Sequence, residues 1–71
     1  MKKLLKAYNL NSDMQYFEMI VESVINGQRT QAKDQFSALP RDNRKQFINA
    51  NLGNWNSGLS KQDLAMFVAI L

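Results

Sequence analysis

An all-α fold, a compact bundle of four to five short helices, is what this sequence predicts, and three observations predict it. No stretch alternates apolar and polar residues with β-branched enrichment, so strand signals are missing. Apolar residues instead recur at spacings of three and four, the period of one helix face. Helix starts and stops then divide the chain at regular intervals: Ser12-Asp13, Asn26-Gly27, Leu39-Pro40, Gly53 and Ser60-x-x-Asp63. No linker, repeat or low-complexity tract interrupts the 71 residues, which read as a single helical domain, 1–71.

Lys2 to Leu10 forms a short first helix with Leu4, Leu5 and Tyr8 at helical spacing. Ser12 or Asp13 caps the second, because either side chain can accept from the free amides of the first turn. That helix runs from Met14 to Asn26 and stops at Gly27. Its expected core stripe is Met14, Phe17, Ile20, Val21, Val24 and Ile25. A third helix covers Arg29 to Ala38, with Ala32, Phe36 and Leu39 on one face. Pro40 pushes Leu39 out of helical geometry and suits the first turn of a fourth helix, Arg41 to Asn51, where Phe47, Ile48 and Leu52 are the buried candidates. The run Gly53-Asn-Trp-Asn-Ser-Gly58 reads as a loop, with Trp55 as a lid over the small core. The last helix starts at Ser60 with a Ser-x-x-Asp box and a Leu59–Leu64 staple, and Leu64, Phe67, Val68 and Leu71 form its expected core face.

Composition excludes much chemistry. The chain has no cysteine and no histidine, so disulfides, thiolate metal sites and the commonest general base are all absent. Glu18 and Glu22 lie on the polar face of an amphipathic helix, where solubility accounts for them. No glycine-rich phosphate loop is present. The expectation is therefore a non-enzymatic protein with no metal and no cofactor. The basic opening Met1-Lys2-Lys3 is not followed by the apolar run of a signal peptide, and no segment approaches the ~18 apolar residues of a membrane span. A cytoplasmic protein with no membrane association is expected.

Two surfaces are candidates for function. Tyr16, Met19, Met66 and Ile70 fall outside the expected core stripes, and every residue after Asp63 is apolar. A helix apolar all round is normally surrounded by protein, so these four residues form a candidate interface with a protein partner or a second copy of the chain. The net charge of +3 is unevenly spread: residues 1–10 carry +3, residues 11–27 carry −3, and residues 28–45 carry +3. Arg29, Lys33, Arg41, Arg44 and Lys45 are a candidate basic patch for nucleic acid, diluted by Asp34 and Asp42. A DNA-reading helix-turn-helix is disfavoured, because no recognition helix follows residues 59–65 and Leu39-Pro40 makes an awkward turn.

The run from Val24 through Asn26-Gly27, Ala32, Phe36 and Leu39-Pro40-Arg41, followed by Arg44-Lys-Gln-Phe-Ile48, is similar to short uncharacterised helical proteins of bacteriophages and gut bacteria. The matching positions are a helix stop and core residues, so no functional residue carries over. What the resemblance implies is an accessory protein of a phage or mobile element that acts by binding. A phage-type inhibitor occupying a host nucleic-acid-binding protein is one form this could take.

Overall fold

Helix ends organise the chain. The computed structural model describes residues 1–52 and 58–71, so the expectations for Gly53 and Trp55 lie outside the described residues. Among the described residues there are five helices and no strand: α1 (Lys2–Ala7), α2 (Asp13–Ile25), α3 (Arg29–Ser37), α4 (Arg41–Leu52) and α5 (Lys61–Ala69). The all-α bundle is thus as expected, with boundaries within three residues of those read from the caps.

The first two helices end in the same hydrogen-bonded device. After α1, Asn9 adopts φ 60°, its amide donates to the Lys6 carbonyl and the Leu10 amide to the Leu5 carbonyl (2.8 Å). After α2, Gly27 adopts φ 80°, its amide donates to Val24 and the Gln28 amide to Ser23 (2.8 Å). Both are Schellman motifs, which satisfy carbonyls the helix would leave orphaned. Gly27 suits the second because glycine meets no Cβ penalty at positive φ. Ser12 caps α2 by accepting from the Gln15 amide (3.2 Å), leaving Asp13 as the first helical residue, where its charge favours the helix N-terminus. The Pro40 carbonyl accepts the first bond of α4, from the Arg44 amide (3.0 Å).

The core is aromatic. All four phenylalanines of the chain, one each from α2, α3, α4 and α5, are buried to within 1%. Phe17 and Phe47 pack edge to face at 5.5 Å, Phe36 and Phe47 at 5.6 Å, and Phe67 completes the group at 4.9 Å from Phe36 and 5.3 Å from Phe47. Such pairs add ~0.5–1.5 kcal/mol beyond area burial, so this cluster ties the four helices together. Ile20, Val21, Val24, Ala32, Leu39 and Ile48 surround it, and Met1, Leu4, Leu5 and Leu10 cover one side. The radius of gyration, 11.1 Å, is that of a compact chain of this length.

Two helices are rotated about their own axes relative to the expected stripes. In α2, Met14 (47% exposed) and Ile25 (63%) face solvent, while Tyr16 and Ser23 are buried. At 100° per residue this is a turn of roughly 60°. Polar contacts select it. The Tyr16 hydroxyl donates to the Gln35 carbonyl (2.7 Å), and the Ser23 hydroxyl meets the Gln35 side-chain oxygen at 2.9 Å. The Ala38 and Leu39 amides are taken by Asp34 and Phe36, and Pro40 has no N–H. Tyr16 therefore satisfies a carbonyl in the last turn of α3 that the helix itself leaves open.

Candidate interaction surface

The second rotated helix is α5, and its rotation creates the surface. Ser60 Oγ accepts from the Asp63 amide (3.1 Å), and the Asp63 carboxylate accepts in return from the Ser60 amide (3.3 Å). The same carboxylate pairs with the Arg29 guanidinium of α3 through its other oxygen. One side chain thus starts the helix and points that face inward. Phe67, one turn on, enters the phenylalanine cluster, with half-buried Leu64 and Met66 on either side and Leu59 packed beneath. The Arg29 side chain is 56% exposed, so the pair fixes geometry more than it adds stability.

With Asp63 and Phe67 inward, Lys61, Ala65, Val68 and Ala69 must face out. Val68 is 50% exposed, not part of the core as expected; Leu71 is 37% exposed. Leu52, expected to be buried, is 65% exposed at the end of α4. Leu52, Lys61, Leu64, Ala65, Val68 and Ala69 line an open groove of about 490 Å³ whose walls are almost wholly apolar. Lys61 supplies its one charged side chain.

The expected interface residues end up in different places. Tyr16 is a correction: it is fully buried, its ring edge against Tyr8 at 5.6 Å, because its hydroxyl finds the Gln35 carbonyl. Burial, and then repulsion from Tyr8, push its pKa up to about 12. Met19 and Met66 are half-buried against the core, with the Met66 sulfur 4.0 Å from Arg29. Ile70 is 37% exposed, but lies beyond Met66 on the side of α5 away from the groove. Sequence reasoning missed Leu52, Ala65 and Val68. The Ser60–Asp63 box marks where α5 starts but not how it is turned, because the partner that turns it, Arg29, lies thirty-four residues away in the chain.

The basic patch is thinner than its composition. Arg29 is engaged by Asp63, and Arg44 is half-buried with its Nε screened from solvent. Lys33 on α3 and Arg41 and Lys45 on α4 remain exposed. Among the described residues no three carboxylates gather as a metal site would require, and no helix is long and apolar enough to cross a membrane.

No protein-family model matches the chain, and no curated protein or solved structure is significantly similar to it.

Proposed function

We propose that this protein is a non-enzymatic interaction module that binds a protein partner through the outward face of α5. The observation that carries this reading is the apolar groove between Leu52 and α5. Leu52 and Val68 are among the most exposed large aliphatic side chains of the chain, and they share one concave surface. Helix-lined apolar grooves are suited to an amphipathic helix laid along them. The resemblance to short phage and gut-bacterial helical proteins supports an accessory role, and the cysteine-free composition supports a cytoplasmic one. Nucleic-acid binding ranks below this reading, since two of the five basic residues proposed for it are engaged or half-buried.

The test compares the wild type, Val68→Lys, and the triple variant Lys33→Glu/Arg41→Glu/Lys45→Glu as immobilised baits in bacterial lysate. The reading expects proteins retained by the wild type and the triple variant and lost with Val68→Lys. Retention that follows the three basic residues and fades with salt would refute it and favour nucleic acid.

A further inference from the structure

Resting on that reading, we propose that the groove's occupant is a second copy of this chain, seated antiparallel on the first about a twofold axis at Ala65. The groove lining runs from Lys61 to Ala69, the whole of α5, so the occupant lies along about 13 Å of helix. At its centre is Ala65, whose small side chain lets a second backbone approach, and Leu64 and Val68 stand beside it to fill the space left. An element of the same length with a small centre and flanking aliphatic residues fits this profile, and α5 itself is one. A twofold contact requires such self-complementarity, because the same patch faces itself.

Charge points the same way. The groove carries one cation, Lys61, at the start of α5, and the last turn of α5 carries no basic residue. Antiparallel pairing about Ala65 sets Lys61 of each copy opposite Ala69 of the other. There the last carbonyls of the partner helix form the negative end of its dipole, which favours a cation. The basic segments 1–10 and 28–45, each +3, would repel across a twofold axis, whereas the α5 face brings together one cation per copy. Asp63, the acid of α5, is turned inward to Arg29. Six residues line the groove, two of them alanines, so the contact is smaller than the ~1,200 Å² that stable complexes bury. The dimer is therefore weak and reversible.

A concentration series from 20 µM to 1 mM, followed by amide NMR shifts and sedimentation velocity, tests this. Concentration-dependent shifts should centre on Leu52 and Lys61–Ala69, with a Kd on the order of 0.1–1 mM. Val68→Lys should raise that Kd at least tenfold with unchanged helical circular dichroism. Lys61→Glu, at an exposed position in the first turn of α5 where an acid suits the helix N-terminus, should raise it about threefold or more by opposing the partner's carbonyls. A wild type that stays monomeric at 1 mM overturns the proposal, as does a dimer whose shifts map elsewhere or that neither substitution weakens. A monomer whose lysate partners are still lost with Val68→Lys overturns the second copy alone and leaves the docking face standing; if Val68→Lys changes neither, both fall.

Discussion

Replacing Tyr16 with phenylalanine removes one oxygen from the interior and leaves the ring in place. The structure sets two magnitudes. First, the lost hydroxyl donates a 2.7 Å bond to the Gln35 carbonyl, which no helical amide claims in its place. Losing the bond and leaving a buried carbonyl open costs about 1–2 kcal/mol at neutral pH. For a domain of this size that lowers Tm by about 4–16 °C. Second, the Tyr16 pKa is raised from 10.0 to about 12. A group raised in the folded state binds its proton more tightly there than in the unfolded chain. Its stabilisation is intact below pH 10 and is lost as pH rises from 10 to 12, at about 1.4 kcal/mol per pH unit. The wild type should therefore lose its advantage over Tyr16→Phe above pH 10, and the two stabilities should meet near about pH 11. Urea unfolding followed by far-UV circular dichroism, at pH 7, 9, 10.5 and 11, measures both effects. A variant as stable as the wild type at pH 7, with the same alkaline slope, would show that the phenol faces water and that α2 is not rotated as described.

Phe67→Ala removes the ring α5 contributes to the phenylalanine cluster and should cost about 3–5 kcal/mol, leaving little of the stability of so small a domain; thermal melts by circular dichroism would show a much lower Tm or no cooperative transition. Met66→Lys and Val68→Lys should behave oppositely. Half-buried Met66 packs on the core and its replacement by a charge should cost about 1–3 kcal/mol, whereas half-exposed Val68 should tolerate lysine within about 0.5 kcal/mol. Urea midpoints in the reverse order would mean that α5 is rotated the other way.

The helix ends were legible because they are local. Ser12 caps through a bond three residues away, Ser60 and Asp63 satisfy each other across one turn, and Gly27 is where the second helix needs positive φ. The buried faces of α3 and α4 were legible apart from Leu52, since Ala32, Phe36, Phe47 and Ile48 stand on narrow apolar stripes with polar neighbours, whereas Leu52 at the end of α4 is exposed. The faces of α2 and α5 were not. Their apolar residues extend around so much of each helix that rotations of roughly 60° bury similar apolar area, and hydrophobic burial is non-directional.

The sequence by itself thus determined the all-α class, where most helices begin and end, and that each phenylalanine belongs to a core face. Tertiary structure decided how α2 and α5 are turned, and with that the exposure of Val68; it also left Leu52 of α4 exposed, which opens the groove between them. The deciding contacts are directional and distant in the chain: Tyr16 with Gln35, nineteen residues on, and Arg29 with Asp63, thirty-four residues on. Hydrogen bonds and ion pairs depend on angle and distance, so they separate orientations that apolar area leaves nearly equal in energy. No spacing rule along the chain can anticipate a partner that folding alone brings near.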